Sequence, residues 1–295
     1  MSHHIKLATT IRNWTVLETS IGAVARIRQF AKETPSEKRN LVDGGKPPSG
    51  WPLKGAIEFK NVNVTARYTQ DTEPTLKGLS LSISPGQKIA VYGPSGSGKT
   101  LMVLSLLQMI EVADGNIVID GIDVAHEQKA RVREHINVIP QEPFFMPGTV
   151  RFNLDPHSRA SSEDIKAARE KVGLLGRIGM AGGLDAELNA TEFSVGERQL
   201  LALTRALIAK SQILVLDEAR SSVDLETESM LQKVIEKEFS QQTIISVIHR
   251  LQFARQYDKV LLLKQGEVVE CDTPSALLEN DSGFREFFSV MQRSA

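Results

Sequence analysis

One eight-residue segment restricts the fold of this chain more than any other feature. Its sequence is Gly93-Pro94-Ser95-Gly96-Ser97-Gly98-Lys99-Thr100, which matches the pattern G-x-x-x-x-G-K-[ST] at every fixed position. The apolar run Lys88–Tyr92 before it predicts a short buried strand, and residues 101–110 after it predict a helix. A strand, a glycine-rich turn and a helix in this order predict a phosphate-binding loop, because backbone amides and the positive helix end converge on one anion.

Two side chains of this loop suit the same chemistry. Lys99 supplies a positive charge for the β- and γ-phosphates of a nucleotide, and Thr100 supplies a hydroxyl for Mg²⁺. The glycines let the backbone wrap closely around an anion, since no Cβ blocks the approach. The alternative is a glycine-rich turn that binds no ligand, and the flanking strand and helix disfavour it.

A second segment ends in two carboxylates. Four apolar residues, 213–216, are followed by Asp217 and Glu218. A buried parallel strand brings its last side chains to the carboxyl edge of a sheet, where the phosphate loop also lies. We therefore expect Asp217 in the Mg²⁺ shell and Glu218 as the base that deprotonates a water in line with the γ-phosphate. The alternative is a strand that ends in a solvated acidic turn.

The composition excludes other classes of protein. The chain has 35 basic and 36 acidic residues and a net charge of −1, so nothing indicates a surface for nucleic acid. Cys271 is the only cysteine, which rules out an internal disulfide and favours a reducing compartment. No apolar run approaches the roughly 18–20 residues that span a bilayer, and no signal-peptide pattern opens the chain. We expect a soluble chain.

The N-terminal part has a composition of its own. Trp14, Leu17, Ile21 and Val24 recur on one face of a predicted helix, which we assign to residues 1–33. Residues 34–55 are rich in Pro, Gly, Ser and charged side chains and predict a linker. The helix has two interpretations: it packs on the following domain, or it is the end of a longer helix from a missing domain.

Apolar runs and helical patterns alternate from residue 56 onward. We predict an α/β fold with a P-loop NTPase core: a mixed or parallel sheet flanked by helices, with an antiparallel β subdomain and a helical subdomain at about 142–210. The turn signal at 84–87 predicts a hairpin that leads into the strand before the phosphate loop. Further predicted strands are 57–59, 79–83, 117–121, 136–140, 213–216 and 243–248, with a hairpin at 260–270 and helices at 162–172, 196–210 and 225–239.

From about residue 56 to 291 the chain resembles the nucleotide-binding domain of ABC transporters, with 292–295 as a tail. The segment 193–199, Phe-Ser-Val-Gly-Glu-Arg-Gln, is similar to the signature motif and lies between the phosphate loop and the acidic strand. The remaining motifs that carry the resemblance are the Q-loop glutamine Gln141, the D-loop Ser221-Ser222-Val223-Asp224, the switch histidine His249 and the A-loop aromatic Tyr68.

The resemblance implies a role for each of these residues. Tyr68 stacks on adenine, and the alternative is an ordinary strand tyrosine. His249 donates a hydrogen bond to the γ-phosphate or the nucleophile, and the alternative is a structural histidine. Gln141 senses Mg²⁺ or the attacking water, and the alternative is loop solvation. On this basis catalysis falls to Glu218, His249 and Gln141, ATP binding to Tyr68, residues 93–100 and Asp217, and Mg²⁺ binding to Thr100, Gln141 and Asp217.

The signature segment departs from the usual Leu-Ser-Gly-Gly-Gln pattern of the family. Ser194 and Glu197 fit the capping box S-x-x-E, so Ser194 is predicted to cap the helix that follows. In the family that helix end, here Ser194-Val195-Gly196-Glu197, binds the γ-phosphate of ATP held by a partner domain. Val195 adds a branched side chain where backbone approaches phosphate, and Glu197 adds a negative charge. Both changes are expected to weaken the site that this segment completes.

This asymmetry is similar to the second ATP-binding domain of C-type, multidrug-resistance-associated exporters. Residues 148–156 also resemble that group, and residues 14–30 resemble the cytoplasmic end of its last transmembrane helix. The resemblance implies a domain that binds ATP and Mg²⁺ at the cytoplasmic face of a membrane. Its implied partners, a second ATP-binding domain and transmembrane domains, are absent from this chain. Arg220 departs from the small polar residue usual in the family.

Two other functions stay open at this point. One is an ABC-type ATPase that is not linked to transport and works on translation or DNA, although near-zero net charge argues against polyanion binding. The other is a non-catalytic nucleotide-binding module, although Glu218 and His249 are both present.

Overall fold

The computed structural model describes residues 2–34, 47–48, 50–65, 73–219, 223–248, 251–280, 282–285 and 288. The chain forms two units, Met1–Asn40 and Leu41–Ala295. Within the described ranges, no helix combines the length and apolar character needed to cross a membrane.

The first unit is a helix, α1 (Ser2–Glu33), in the region where the apolar spacing predicts one. Its large apolar side chains are exposed, including Trp14 at 68% and Phe30 at 71%.

The second unit contains ten strands and eight helices in its described part. The strands are β1 (Ile57–Val64), β2 (Leu76–Ile83), β3 (Lys88–Tyr92), β4 (Asp114–Ile119), β5 (Ile122–Asp123), β6 (Ile136–Ile139), β7 (Ile213–Asp217), β8 (Thr243–Val247), β9 (Lys259–Lys264) and β10 (Glu267–Asp272). The helices are α2 (Lys99–Leu106), α3 (Lys129–Glu134), α4 (Val150–Leu154), α5 (Ser162–Lys171), α6 (Leu175–Met180), α7 (Val195–Ala209), α8 (Leu225–Glu238) and α9 (Pro274–Glu279).

These strands form two sheets, which confirms the predicted fold class. The larger has the order β10-β9-β3-β8-β7-β6, in which β10 alone pairs in an antiparallel manner. The smaller has the order β2-β1-β4-β5 and is antiparallel throughout. Because β3, β8 and β7 are parallel neighbours, the phosphate loop after β3 and the carboxylates at the end of β7 lie at the same edge of the larger sheet.

Alternate side chains of β7 explain how the larger sheet is covered on both faces. Ile213 and Val215 belong to an apolar cluster with α2 and the antiparallel sheet. Leu214 and Leu216 belong to a second cluster with α5, α7 and α8. A strand with both faces buried needs a continuous apolar run, which is the pattern found at 213–216.

The turn at residues 84–87 does not form the predicted hairpin. The turn itself is present, since the Gln87 amide donates to the Ser84 carbonyl at 3.0 Å. However, β2 pairs with β1 in the smaller sheet, whereas β3 pairs with β8 and β9 in the larger one. Both edges of β3 are occupied by parallel neighbours, so no edge is left for β2.

Helix α2 is shorter than predicted at its C-terminal end. It ends at Leu106, and Gln108 has a φ of 52°, which no α-helix accommodates. The apolar run through Ile110 continues past the helix because Leu107 and Ile110 pack against the core from the turn that follows.

Candidate functional site

The phosphate loop joins β3 to α2 and packs closely on β9. A Cβ placed on Gly93 would lie 2.0 Å from the carbonyl oxygen of Leu263, so only glycine fits there. Gly96, at the exposed tip of the loop, has a φ of 77°, which side-chain-bearing residues rarely adopt. Glycine is thus required at position 93 by close packing and favoured at position 96 by the backbone conformation.

Lys99 lies beneath the loop at the start of α2. It is 7% exposed, and its Nζ donates to the carbonyls of Gly93 at 2.8 Å and Pro94 at 3.0 Å. Burial lowers the pKa of the Lys99 ammonium, and the negative charges of Glu218 and Asp217 act in the opposite direction. The structure therefore brings the predicted cation and both predicted carboxylates within electrostatic range of one another.

A cleft of about 230 Å³ opens over the loop. Glu218 lies on its wall together with residues of the loop, so the two separate sequence segments meet in one cavity. Thr75, just before β2, also lines it and was not anticipated from the sequence, because only the placement of β2 beside the loop brings it there. The lining residues are Thr75, Ser95, Gly96, Ser97, Gly98, Lys99, Thr100, Leu101 and Glu218.

Glu218 has an unusual backbone conformation. Its φ is 51°, in the left-handed region that few non-glycine residues occupy. Its amide donates to the carbonyl of Val247 at the end of β8 at 3.2 Å, which holds the turn in place. Backbone strain of this kind concentrates at functional sites, where the surrounding structure maintains it.

The residues of the cleft fit a nucleotide phosphate. Ser97 is 2% exposed, and its Oγ has no hydrogen-bond partner among the described residues. The loop thus holds a buried hydroxyl that a phosphate oxygen can satisfy, next to the Lys99 cation. Thr100, the residue predicted to face Mg²⁺, lines the same cleft. Mg²⁺ in nucleotide sites is held by few protein ligands together with phosphate oxygens, which this donor set suits.

Gln141 and Asp217 are not in the lining of the cleft. Both lie at the ends of strands of the larger sheet: Gln141 comes two residues after β6, and Asp217 is the last residue of β7. Because Ile139 of β6 pairs with Leu216 of β7, the two residues leave the same edge of the sheet. Gln141 is exposed, and its carbonyl accepts a hydrogen bond from Gln199 at 2.6 Å.

Other predicted residues lie outside the described part of the chain. These are Tyr68, His249, Ser221 and Ser222, together with Arg220. The assignments of adenine stacking and of the switch histidine therefore stay predictions, as do the first two D-loop positions.

The signature segment forms the capping box that the sequence predicts. Ser194 precedes α7, its Oγ accepts from the Glu197 amide at 3.1 Å, and the Glu197 carboxylate accepts from the Ser194 amide at 2.8 Å. A Cβ on Gly196 would lie 2.8 Å from Cγ2 of Thr227 in the first turn of α8. Glycine at this position lets the starts of α7 and α8 approach closely.

The D-loop residue Asp224 caps the neighbouring helix. Its carboxylate accepts from the Thr227 amide at 2.9 Å and from the Thr227 hydroxyl at 2.8 Å. These hydrogen bonds hold the pKa of Asp224 below its usual value. Thr227, which contacts the cap of one helix and the signature glycine of another, has no distinguishing signal in the sequence.

The negative charge of Glu197 has a cationic partner that the sequence did not indicate. Nε of Arg177 donates to Oε1 of Glu197 at 3.1 Å, and the guanidinium lies 4.7 Å from the centre of the Phe193 ring. Arg177 also donates to the carbonyl of Glu192 at 2.6 Å. The carboxylate is therefore turned back into its own cap and compensated, whereas Val195 is 40% exposed at the helix start.

Comparisons with known proteins find relatives of this chain among ABC transporters. Residues 76–221 match the sequence family described as ABC transporter. The chain is 43% identical over 284 residues to ABC transporter ecdL of Aspergillus rugulosus, across 96% of this chain and 19% of that protein. It is 39% identical over 278 residues to ATP-binding cassette sub-family C member 3 of Mus musculus, across 92% of this chain and 18% of that protein.

A solved structure shows the same fold. A bacterial Atm1-family ABC exporter with ATP bound matches 80% of this chain and 42% of its own chain, with a TM-score of 0.73 and 30% sequence identity. This chain spans about a fifth of the length of the curated relatives it matches. The chain therefore contains an ABC transporter ATP-binding domain and is related over most of its length to transporters of sub-family C.

Proposed function

We propose that this chain binds Mg-ATP and hydrolyses it, and that this reaction powers a C-type ABC exporter from the cytoplasmic face of a membrane. The observation that carries the proposal is the cleft in which Lys99, Thr100 and Glu218 converge. Sub-family C relatives at 39% identity support the transporter class. The transport function belongs to the longer proteins of which this chain spans about a fifth.

Residues of the cleft have a part in this reaction, together with Asp217, Gln141 and His249. The amides of the loop and the Lys99 ammonium bind the phosphate oxygens, and Thr100 and Asp217 hold Mg²⁺ with the help of Gln141. When bound, Mg²⁺ would neutralise charge on the transferred phosphate and its leaving group. Glu218 accepts a proton from a water molecule as the water oxygen bonds to the γ-phosphorus and the bond to the β-phosphate oxygen breaks. His249 hydrogen-bonds to the γ-phosphate, and the products are ADP and inorganic phosphate.

Closure of the site requires a second ATP-binding domain. On this proposal Ser194 and the start of α7 face the γ-phosphate held by the partner, and the partner offers its own signature helix to this cleft. ATP binding closes the pair and hydrolysis opens it, which drives attached transmembrane domains between two conformations. Tyr68 stacks on the adenine of the bound nucleotide.

Two substitutions separate binding from chemistry. Lys99→Ala removes the buried cation, so ATP affinity is expected to fall about 10- to 100-fold and turnover to disappear with it. Glu218→Gln keeps the size of the side chain but removes the base, so affinity stays within about twofold while turnover falls by about a hundredfold or more. Equilibrium binding of ATP and phosphate release at high protein concentration measure the two quantities.

The controls come from an exposed ion pair on β1, away from the cleft. Lys60 and Glu58 lie 2.9 Å apart with half-exposed side chains. Lys60→Ala and Glu58→Gln are expected to leave both measurements unchanged. Unaltered hydrolysis in Glu218→Gln would show that Glu218 is not the catalytic base. Wild-type ATP affinity in Lys99→Ala would show that the cleft is not the ATP-binding site.

A further inference from the structure

Helix α7 contacts the Q-loop backbone through a buried glutamine. Gln199 is 1% exposed and lies in the second turn of α7. Its Nε2 donates to the carbonyls of Pro140 at 3.2 Å and Gln141 at 2.6 Å. These two acceptors fix which way the amide points. If the amide were flipped, its oxygen would face the carbonyl oxygens of Pro140 and Gln141, which cannot donate a hydrogen bond.

The other end of the Q-loop segment is held by the same helix. Nε of Arg205 donates to the Asn153 carbonyl at 2.7 Å, and its Nη atoms lie 3.4 and 3.5 Å from the Phe144 carbonyl. The guanidinium also covers the Phe145 ring at 5.2 Å. Residues 140–153 are thus attached to α7 at both ends, and the end near the predicted Mg²⁺ residue depends on Gln199.

Helix α7 therefore connects two functional segments that the sequence separates. Its N-terminus carries the cap of Ser194 and Glu197, and Gln199 lies five residues after Ser194 on the same rigid element. We propose that Gln199 is a positioning residue, which fixes the backbone of Gln141 to the signature helix so that the Mg²⁺-sensing glutamine and the signature end move together. This proposal rests on the proposed function, because it assigns Gln141 to the Mg²⁺ site.

The Gln199 amide makes its hydrogen bonds through its donor group. Oε1 of Gln199 is buried and has no hydrogen-bond partner in the described part of the chain, so only the donor group of this amide is used there. Each lost hydrogen bond changes an equilibrium constant by about 2- to 12-fold. Without the donor, the carbonyls of Pro140 and Gln141 lose these hydrogen bonds, and α7 no longer holds the local backbone through this side chain.

The test uses Gln199→Met, which keeps the length of the side chain and removes the donor. The readout is the ratio of ATP affinity in Mg²⁺ to ATP affinity in EDTA, measured by equilibrium binding to the purified chain. We expect this ratio to fall about three- to tenfold, while affinity in EDTA stays within about twofold. A ratio equal to that of the wild type overturns the proposal.

Gln108→Met is the matched control. Gln108 is a second buried glutamine, 8% exposed, and its Nε2 donates to the Val124 carbonyl away from the cleft. Its substitution is expected to lower the melting temperature and leave the Mg²⁺ ratio unchanged. An equal fall in the ratio for Gln108→Met means that general loosening of the fold causes the effect, which contradicts a specific role for Gln199.

A double substitution separates positioning from simple stability. If Gln199 acts through Gln141, then Gln199→Met adds no further loss of the ratio in a Gln141→Ala background. A full additional loss in that background overturns the proposal. Should Gln199→Met not fold, Gln199→Glu keeps the shape, replaces the donor by an acceptor and is expected to give the same loss.

Failure of the proposed function has a different outcome. In that case the wild-type chain binds ATP neither in Mg²⁺ nor in EDTA, so the ratio of the two affinities cannot be measured. ATP binding by the wild type with an unchanged ratio in both Gln199 variants overturns the positioning role alone.

Discussion

At the scale of single residues, Arg169 is a buried arginine with an unpaired donor atom in the described part of the chain. It lies in the last turn of α5 and is 8% exposed, and its Nε has no hydrogen-bond partner in the described ranges. Burial lowers the pKa of its guanidinium, and the positive charge of Arg151 lowers it further. A buried donor nitrogen without an acceptor costs free energy in the folded state.

Replacement of this arginine is expected to stabilise the fold. Arg169→Leu removes the unsatisfied donor, so the free energy of unfolding should rise by about 1–3 kcal/mol in urea titration. Arg133→Leu is the control with the opposite sign, because Arg133 donates to the carbonyls of Leu107 at 2.9 Å and Gln108 at 2.7 Å. A loss of stability in Arg169→Leu equal to that in Arg133→Leu would contradict the claim that Arg169 destabilises the folded chain.

At the scale of elements, one carboxylate attaches the segment before β1 to the turn between β4 and β5. The Asp120 side chain accepts from the amides of Lys54 at 2.8 Å, Gly55 at 3.1 Å and Ala56 at 2.8 Å. Burial acts to raise the pKa of Asp120, but the amides that donate to its carboxylate hold it below the ordinary value. The ionised form is therefore favoured in the folded chain.

This attachment predicts a pH dependence of stability. Because the folded-state pKa is lowered, the contribution of Asp120 is present above its unfolded pKa of about 3.9 and is lost as pH falls through the folded value. Asp120→Asn is expected to destabilise the chain most near neutral pH, and the difference from wild type should shrink below about pH 4. Urea unfolding at neutral and acidic pH measures it.

Asp185→Asn serves as the control for this titration. The Asp185 side chain is 88% exposed and pairs with Arg151 at 3.4 Å, and exposed pairs of this kind contribute little. We expect a small change in stability for this variant. A difference between wild type and Asp120→Asn that is constant across the acidic range would show that the Asp120 charge is not involved.

At the scale of the whole molecule, this chain combines the cleft over residues 93–100 with a signature segment that departs from the usual family pattern. Arg177 compensates the charge of Glu197, so the remaining departure at the helix start is the exposed side chain of Val195. Two copies of the chain would pair each cleft with a helix end that bears this side chain. We therefore expect weak ATP turnover by the isolated chain.

A single substitution tests that expectation. Val195→Gly clears the helix start, so turnover should rise severalfold and increase more steeply than linearly with protein concentration, as pairing of copies requires. Val269→Gly removes an exposed valine from β10, where no effect on turnover is expected. Strong turnover by the unmodified chain, proportional to concentration, would exclude the need for a partner.

Local features of the site were predictable from the sequence alone. The loop of residues 93–100, the cap formed by Ser194 and Glu197, and the buried run before Asp217 depend on hydrogen bonds and periodicities within a few residues. Such interactions are determined by side chains that are neighbours in the sequence, so their pattern is visible there. The strand, loop and helix around Lys99 follow from the same local rules.

The partners of these features were decided only by the tertiary structure. Gln199 meets Gln141 across 58 residues, Arg177 meets Glu197 across 20, and Thr75 reaches the cleft from the other sheet. The turn at 84–87 likewise joins two sheets because both edges of β3 are occupied. The sequence by itself thus determined the loop and the strand end that we propose to bind phosphate, since that pattern is local. Packing of α7 and the two sheets decided which groups position them, because contacts between distant segments depend on how whole elements pack together.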